Sequence, residues 1–480
     1  MNVLKKIVDL SKDNKKIFLK DENLTYEKFY KNQKKYYKLL KTLMNEKQRN
    51  IIAICANYSP DFLSLIFAAN QNKCIITFIN PSSTLKEKNH IISDSGANLI
   101  VFEKKFCLKK KKYLNLFDFK VWKRKDKNNT LKKNDSFIIY TSGTTKKPKG
   151  AVLTNEAISN NVMSISNNLK LNEKYSSIIF SPPAYAMGIS QILTYMLNQM
   201  SIILVSTGNK FPYEIINSIY KNKINLINLN ISALRIFKNY ILSKRKKFHF
   251  VKIVMAGGMQ LSNRDIQNYR ESFPKAKIIN FYGCTENSPR ISHYHITKKT
   301  KNKGTIWPVG KALNFIKIKI LNNNKSKFGK ILISGKSLMR GYNKLNKLTN
   351  RRIVNGWFNT GDLGFFDKNK NLVLTGREDD SFRVGQEKLC PEEIEPILKK
   401  KFHLSEAIIG KKSNKILNWE PVLVLKKMNR KINLDKMRDI LSKEISNYKI
   451  PRKILYLKSM PKTAYGKYDR QKINQIINIK

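Results

Sequence analysis

Short apolar runs alternate with helical patterns along most of the first two thirds of the chain, and this alternation constrains the fold more than any other feature. Runs such as IIAICA at 51–56 and SFIIY at 136–140 have the length of buried strands. The stretches 25–43 and 62–71 carry apolar residues mostly at helical spacing. Buried strands that alternate with helices are typical of largely parallel sheets covered by helices. The sequence therefore predicts an α/β fold.

Two segments of this region carry less regular signals. The lysine-rich segment 103–134 is poor in pattern, and we expect a variable surface excursion there. Beyond the polar loop that follows SFIIY, we expect a helix to begin at Ala151.

The pattern changes after residue 304. IKIKIL at 316–321 and GKILISG at 329–335 alternate apolar and polar residues, which is typical of antiparallel strands. A helix is expected from Glu392, and a compact α+β tail follows it. A chain of 480 residues is expected to form more than one domain. We therefore expect a large N-terminal domain, residues 1–376, with mixed, largely parallel sheets and a small barrel-like β part, and a small α+β domain, residues 377–480.

The charge of the chain does not identify a function by itself. The 93 Lys+Arg against 34 Asp+Glu give a net charge of +59, a balance that invites the hypothesis of a nucleic-acid-binding protein. However, the basic residues are scattered, and neither a cluster of arginines nor a known reader motif appears. We therefore expect no nucleic-acid partner, although the positive field would attract anionic substrates such as nucleotides.

The apolar and cysteine content favours a cytoplasmic location. No apolar run is long enough for a transmembrane segment, and the first residues do not form a secretory signal. The five cysteines are far apart, which suggests reduced thiols: Cys55, Cys74, Cys107, Cys284 and Cys390. The sequence leaves the oligomeric state open.

The densest polar motif is YTSGTTKKPKG at 140–150. Hydroxyls, small residues with accessible amides and a lysine are the groups that hold a phosphate. The motif is not a Walker A loop, because Pro148 stands where that loop needs a glycine.

The run T-S-G-T-T-x-x-P-K-G closely resembles the signature loop of the adenylate-forming (AMP-binding) superfamily, which includes acyl-CoA synthetases, peptide-synthetase adenylation domains and luciferases. Four further motifs follow in the family's order: YGCTE at 282–286, NTGD at 359–362, GREDD at 376–380 and PKTAYGK at 461–467. The resemblance spans nearly the whole chain. The strings PPAYAMGIS and CTENSPRISHY look most like free-standing bacterial acyl ligases.

The resemblance implies roles for the polar residues of these motifs. Ser142, Thr144 and Lys149 would grip the β- and γ-phosphates of ATP, Thr285 would touch the α-phosphate, and Glu286 would hold Mg²⁺. Asp362 would accept hydrogen bonds from the ribose hydroxyls, supported by Arg377. The remaining nucleotide-binding positions would be Thr141, Gly143, Thr145, Gly257, Gly258, Tyr282 and Gly283.

Two implied roles belong to the small C-terminal domain, which is mobile in this family. Lys467 would bridge the attacking carboxylate and the α-phosphate and offset the charge of the transition state. Asp379 would be the hinge about which the domain turns between two half-reactions. Lys146 stands where the family usually has a second glycine, and Arg383 and Gln386 depart from the usual pattern after the hinge.

The segment 180–190 matches the family region that shapes the acyl pocket. The expected pocket residues are Tyr185, Met187, Gly188, Ile231 and Met259, although core packing is an equally ordinary use of such side chains. Peptide-synthetase adenylation domains usually place an aspartate here. No Asp or Glu occurs between Glu173 and Glu214, so an α-amino acid substrate is disfavoured.

The resemblance thus implies an ATP-dependent, AMP-forming acid–thiol ligase. It would activate a small carboxylic acid as an acyl-adenylate and transfer the acyl group to coenzyme A or to the phosphopantetheine of an acyl carrier protein. A stand-alone amino-acid-activating adenylation enzyme is the alternative within the family. A catalytically silent scaffold is a further alternative, disfavoured because Lys149, Glu286, Asp362 and Lys467 are all present.

Overall fold

Two large sheets with parallel centres form the framework of the protein. The computed structural model describes residues 2–44, 49–108, 111–124, 131–141, 148–205, 212–229, 231–243, 247–258, 261–300, 302, 306–322, 328–378, 380–404, 406–427, 432–461 and 468–479. The predicted α/β class is confirmed.

The first sheet has nine strands among these residues, with parallel pairs at its centre and antiparallel pairs at both ends. In spatial order the strands are Lys311–Ala312, Arg290–Ile296, Lys277–Gly283, Ile253–Gly257, Leu226–Asn228, Ser176–Ile179, Ser201–Leu204, Ile17–Leu19 and Leu24–Thr25. Successive residues of its strands face opposite sides. Met255 packs in one core cluster and Val254 in another, so apolar layers cover both faces.

The second sheet has eight strands in the described part of the chain, and its four central strands are parallel. In spatial order the strands are Gly341–Tyr342, Lys149–Thr154, Asp135–Thr141, Ile75–Phe78, Ile51–Cys55, Leu99–Glu103, Phe119–Lys123 and Leu114–Leu116.

The expected helix from Ala151 is wrong. Residues Lys149–Thr154 form a strand that pairs with Asp135–Thr141 on one side and with Gly341–Tyr342 on the other. Ala151, Val152 and Leu153 are all buried, a pattern that suits a strand between two neighbours better than an amphipathic helix. The helix begins at Asn155, because the Thr154 hydroxyl accepts a hydrogen bond from the Ala157 backbone and caps it.

The segment after residue 102 is also more regular than expected. Lys104–Phe106 forms a 3₁₀ turn, and the strands Leu114–Leu116 and Phe119–Lys123 form an antiparallel hairpin that extends the second sheet. The signal lay in the alternation of FKVWK, in which Phe119 and Val121 are buried while Lys120 and Trp122 are partly exposed.

Helices cover the two sheets and supply the remaining core. Their starts follow ordinary capping chemistry, for example the Ser59 side chain that accepts from the Phe62 backbone and the Ser262–Asp265 capping box. The helices of this region are Val3–Ser11, Tyr26–Leu43, Pro60–Gln71, Leu85–Ser95, Asn155–Leu169, Ala186–Leu197, Tyr213–Lys221, Ile231–Ser243, Asn263–Ser272 and Asn346–Arg352.

A third, antiparallel sheet corresponds to the expected smaller β part. Among the described residues it contains Ile316–Leu321, Gly329–Gly335, Trp357–Phe366, Ile353–Val354 and Leu372–Arg377. Its alternating burial explains the alternating sequence pattern, because Ile331 and Ile333 face the core while Lys330 is exposed.

The chain divides into two compact units, the first made mostly of residues up to Thr375 and the second mostly of residues from Gly376 onward. In the second unit a sheet packs with three helices within the described residues. The strands are Phe382–Val384, Glu387–Leu389, Ala407–Asn414, Asn418–Lys426 and Lys453–Leu457, and the helices are Pro391–Phe402, Leu434–Ser442 and Arg470–Ile479, with a 3₁₀ turn at Asn447–Lys449. The mobility of residues 377–480 stays a prediction. Within the described ranges, no helix is both long and apolar enough to cross a membrane.

Candidate active site

Lys149 begins the strand that follows the predicted phosphate-binding loop. Its partner in register is Thr141, whose hydroxyl lies 3.5 Å from the Lys149 carbonyl oxygen and donates to it. Lys149 is 5% exposed, and its Nζ lies 5.9 Å from the centre of the Tyr342 ring. The strand pair therefore holds both ends of the loop and a buried cation beside it. Outside the described residues lie Ser142, Gly143, Thr144, Thr145 and Lys146.

Glu286 lies on the 3₁₀ turn Thr285–Asn287, which directly follows the strand Lys277–Gly283. The Tyr342 hydroxyl donates to Glu286 Oε1 at 2.8 Å, and the Glu286 carbonyl accepts from the Met339 backbone at 2.7 Å. Burial and the Glu286 carboxylate raise the pKa of Tyr342, so its hydroxyl stays a donor at neutral pH. The carboxylate is thus held in one orientation.

Asp362 is held in the same way by a second tyrosine. The Tyr282 hydroxyl donates to Asp362 Oδ2 at 2.5 Å, and burial together with this carboxylate raises the pKa of Tyr282. The Asp362 backbone donates to the Thr360 hydroxyl at 3.1 Å. Gly361 has a φ of 74°, a left-handed conformation that favours glycine and turns the chain just before the aspartate.

Cys284 connects these two arrangements. Burial raises the pKa of its thiol well above the usual value, and the carboxylates of Glu286 and Asp362 add to the effect. Both carboxylates therefore act on one thiol, although Glu286 lies on a turn that follows a strand of the first sheet and Asp362 lies in a strand of the third sheet. The structure brings together two residues that the sequence placed in separate motifs.

Three glycines shape the chain beside these groups. A Cβ atom at Gly257 would lie 2.4 Å from the Phe281 ring, and one at Gly283 would lie 1.9 Å from the Pro289 carbonyl oxygen. Gly258 has a φ of 88° with open space around it. Side chains are excluded at the first two positions by packing and disfavoured at the third by the backbone.

Two of the predicted pocket residues lie at the start of the helix Ala186–Leu197. The Asn80 side chain donates to the Tyr185 hydroxyl at 3.5 Å, and the Asn228 amide nitrogen lies 3.6 Å from Met187 Sδ. Met187 therefore faces the carboxyl end of the strand Leu226–Asn228, where ligands commonly bind in parallel sheets.

The other predicted pocket residues differ in setting. A Cβ atom at Gly188 would lie 2.4 Å from the Tyr58 hydroxyl, so the helix approaches this side chain closely. Ile231 is fully buried in a core cluster with Leu234 and Phe237, which is an ordinary packing environment. Met259 lies outside the described residues.

The sequence did not single out Tyr342 as a site residue, although the structure places it between Lys149 and Glu286. The only signal was the string RGY at 340–342. The neighbouring Arg340 has a structural role, because its guanidinium bonds both oxygens of the buried Asp135 carboxylate at 2.9 Å.

In the second unit, Arg377 ends the strand Leu372–Arg377. Arg383 donates to the Gln386 carbonyl at 2.6 Å, so the two departures from the family pattern contact each other. Asp379 and Lys467 lie outside the described residues.

Arg470, three residues after Lys467, anchors the C-terminal helix within the second unit. Its guanidinium pairs with Asp380 at 2.9 Å and with Glu395 at 2.8 Å. The chain is therefore fixed shortly after the PKTAYGK motif.

The donor set at Glu286 fits a Mg²⁺ ion that also binds phosphates. Tyr342 bonds one carboxylate oxygen, and a carboxylate has further lone pairs for a cation. Nucleotide-bound Mg²⁺ typically takes one or two carboxylates and completes its shell with phosphates and water. No group of three or more His, Cys, Asp or Glu that could hold a metal ion occurs in the described part of the chain.

Comparison with known proteins gives a consistent result. The family model described as AMP-binding enzyme matches residues 8–343. A 2-succinylbenzoate–CoA ligase of Oceanobacillus iheyensis is 26% identical over 490 residues, which cover 98% of this chain and 98% of that protein. Gramicidin S synthase 1 of Brevibacillus brevis is 27% identical over 352 residues, which cover 70% of this chain and 31% of that protein.

A solved structure shares the fold over the whole length. It is a double mutant of o-succinylbenzoate CoA synthetase from Bacillus subtilis, bound with a product analogue. The TM-score is 0.83 at 20% sequence identity, and the match covers 99% of this chain and 98% of that chain.

Proposed function

The chain belongs to the AMP-binding enzyme family and is an acyl-CoA synthetase-like ligase, and from this premise we propose that it joins a small carboxylic acid to coenzyme A by way of an acyl-adenylate. The observation that carries the proposal is the convergence of Glu286 and Asp362. Each is held by a tyrosine hydroxyl, and both act on Cys284.

In the first half-reaction, an oxygen of the substrate carboxylate attacks the α-phosphorus of ATP. The bond from that phosphorus to the oxygen bridging to the β-phosphate breaks, and pyrophosphate leaves. Lys149 and the hydroxyls of Ser142 and Thr144 bind the β- and γ-phosphates, where cations and donors offset the charge of the leaving group. Thr285 contacts the α-phosphate.

Two carboxylates position the nucleotide. Glu286 would hold Mg²⁺, which would neutralise phosphate charge when bound. Asp362 accepts hydrogen bonds from the ribose hydroxyls, and the Tyr282 hydroxyl fixes its orientation. The open space beside Gly258 would receive the rest of the nucleotide.

Residues 377–480 act as a mobile domain that turns about Asp379. Lys467 contacts the substrate carboxylate and the α-phosphate during adenylation and then withdraws. Proline at position 379 would fix φ near −65° and resist this rotation. The variant Asp379→Pro should therefore form acyl-adenylate and fail in thioester formation.

In the second half-reaction, a thiol attacks the acyl carbon, and the bond from that carbon to the phosphate oxygen breaks to release AMP. The name of the Oceanobacillus iheyensis relative favours coenzyme A as the acceptor. A phosphopantetheine on an acyl carrier protein is chemically equivalent at the thiol, so a carrier protein belongs among the acceptors tested.

The test is pyrophosphate release with MgATP over a panel of carboxylic acids, with and without coenzyme A or a phosphopantetheinylated carrier protein. Release that requires one acid, together with a thioester of the same acid, supports the proposal. An α-amino acid as the preferred substrate would instead support an amino-acid-activating enzyme, and no acid-dependent release would refute both.

The role of Lys467 has its own test. In the variant Lys467→Ala, acyl-adenylate formation should fall by two to three orders of magnitude, about the effect of removing one preorganised oxyanion donor. Thioester formation from supplied acyl-adenylate should continue. Equal loss of both half-reactions would refute the assignment.

A further inference from the structure

Arg290 is a buried cation with incomplete hydrogen bonding in the described structure. It begins the strand Arg290–Ile296 and is 2% exposed. Its Nε and Nη1 atoms are buried without a hydrogen-bond partner, and no ion pair with a carboxylate occurs among the residues that the structure describes. Its guanidinium carbon lies 3.4 Å from the centre of the Phe281 ring. Burying an unpaired charge is costly, so this position needs an explanation.

The backbone of Arg290 is fixed by side chains from elsewhere. Its N–H donates to Asn161 Oδ1 at 3.1 Å, and its carbonyl accepts from the amide nitrogens of Asn161 and Asn287, each at 2.7 Å. All of these atoms are buried. The chain therefore holds Arg290 firmly in the interior, while two nitrogens of its guanidinium have no hydrogen-bond partner in the described structure.

The guanidinium lies beside the candidate active site. Phe281, on which it stacks, precedes Tyr282 in the chain, and the Phe281 ring also packs against Gly257. Arg290 is thus one aromatic ring away from the strand ends that carry the proposed nucleotide site.

A line of side chains on the helix Ala186–Leu197 connects Arg290 with the predicted acyl pocket. Met187, Gln191 and Tyr195 follow one another at intervals of four residues and so share one face of the helix. Tyr195 acts electrostatically on Arg290, and Gln191 Oε1 is buried without a hydrogen-bond partner. This face therefore runs from the pocket residue Met187 towards the guanidinium.

Arg290 remains a cation in the folded protein at neutral pH. Burial lowers its pKa to about 9, while the nearby Tyr195 acts in the opposite direction. A cation of this kind favours an anionic partner, and a guanidinium binds a carboxylate through two parallel hydrogen bonds.

We propose that Arg290 binds a second carboxylate on the acyl substrate, at the end opposite to the carboxylate that is activated, so that the enzyme's acid is a dicarboxylate. The proposal rests on the proposed ligase function and adds the class of acid to it. The distal carboxylate of the bound substrate is the anionic partner of Arg290, and the carboxylate at the other end remains available for adenylation.

The test compares pairs of acids that differ only at the distal end. Each pair consists of a dicarboxylic acid and the monocarboxylic acid of the same length with a methyl group in place of the distal carboxylate, in aliphatic and aromatic series. For the natural chain, kcat/KM for pyrophosphate release should favour the diacid by at least a hundredfold in the best pair. Arg290→Met should lose most of this preference, and Arg290→Lys should keep part of it.

Thermal denaturation distinguishes a substrate contact from a structural role. The diacid of the best pair should raise the Tm of the natural chain and leave that of Arg290→Met unchanged, and without ligand the Met variant should be at least as stable as the natural chain. Equal use of both acids by the natural chain, a retained preference in Arg290→Met, or a Tm that no diacid shifts would overturn the inference. If diacid binding depends on Arg290 but no acid supports pyrophosphate release, the inference stands and the proposed ligase function fails.

Discussion

The charged side chains at the two ends of the candidate active site differ in whether the protein supplies hydrogen-bond partners for them. On the nucleotide side, Glu286 and Asp362 each accept a hydrogen bond from a buried tyrosine. On the acyl side, Arg290 is more deeply buried than either carboxylate, but two of its nitrogens have no hydrogen-bond partner among the described residues. Buried polar groups in folded proteins are almost always paired, so the difference is informative.

The contrast distinguishes residues that are already oriented for the nucleotide from a residue that recognises the acid substrate. A carboxylate held by a tyrosine is already positioned for a cation or a ribose hydroxyl, so little reorganisation accompanies binding. A guanidinium with two nitrogens that lack hydrogen-bond partners is instead complementary to an anion that arrives with the substrate. The nucleotide side would therefore serve any acid, while the acyl side would select one class.

The largest effect is expected from Glu286→Gln, which tests whether the nucleotide side works through its charge. The amide oxygen can still accept from Tyr342, but it lacks the negative charge that Mg²⁺ favours. Acid-dependent ATP–pyrophosphate exchange should fall by two to three orders of magnitude, by comparison with other single electrostatic deletions. The control is Glu271→Gln, a largely exposed carboxylate in the helix Asn263–Ser272, and comparable exchange in both variants would contradict the assignment.

The next largest effect is expected from replacing Arg235, which, unlike Arg290, forms an ion pair with a carboxylate. Arg235 lies 3.0 Å from Asp265, whose side chain is 2% exposed. Arg235→Met would leave this buried carboxylate without its cation and should destabilise the first unit by about 2 kcal/mol, less than a fully buried pair because Arg235 is partly exposed.

Thermal denaturation of Arg235→Met and Arg290→Met, measured side by side, checks this expectation. Only the Arg235 variant should lose stability. An equal loss in both variants would show that Arg290 is a structural residue and would remove the contrast.

A smaller effect is expected from Tyr342→Phe. This change removes the donor to Glu286 and keeps the ring against Lys149. Residues that orient a metal ligand typically contribute tenfold or more to affinity, so the Mg²⁺ concentration for half-maximal exchange should rise about tenfold. A lower kcat at saturating Mg²⁺ with an unchanged Mg²⁺ requirement would argue against this positioning role.

The smallest effect is expected from Tyr282→Phe. Asp362 would lose one donor but keep its place after Gly361, so the KM for ATP should rise about threefold, near the lower end of the net contribution of an ordinary hydrogen bond. The preference between a diacid and its monoacid should not change. A changed preference would mean that the two ends of the site are not separable.

Several strands could be predicted because a strand appears in the local sequence as a short apolar or alternating run. Ile316–Leu321 and Gly329–Gly335 have the predicted bounds. The strand at Lys149–Thr154 was missed because its stability comes from two neighbours, one of them as distant as Gly341–Tyr342. Local patterns carry no information about such pairing.

The residues of the candidate site could likewise be predicted only in part. Glu286 and Asp362 were found through motifs, but Tyr342 was not, because its role depends on a contact between residues 56 positions apart. Arg290 lay within a quoted string, yet its significance depends on burial and on the lack of a partner. Neither property can be recognised in a chain with a net charge of +59.

The most direct test of the central claim follows the substrate oxygen. The acid is labelled with ¹⁸O in the carboxylate, and the enzyme converts it to the thioester with MgATP and coenzyme A. If a carboxylate oxygen attacks the α-phosphorus and the thiol then displaces AMP, mass spectrometry should find one ¹⁸O atom in each AMP formed. Label in inorganic phosphate with formation of ADP, or AMP without label, would contradict the account.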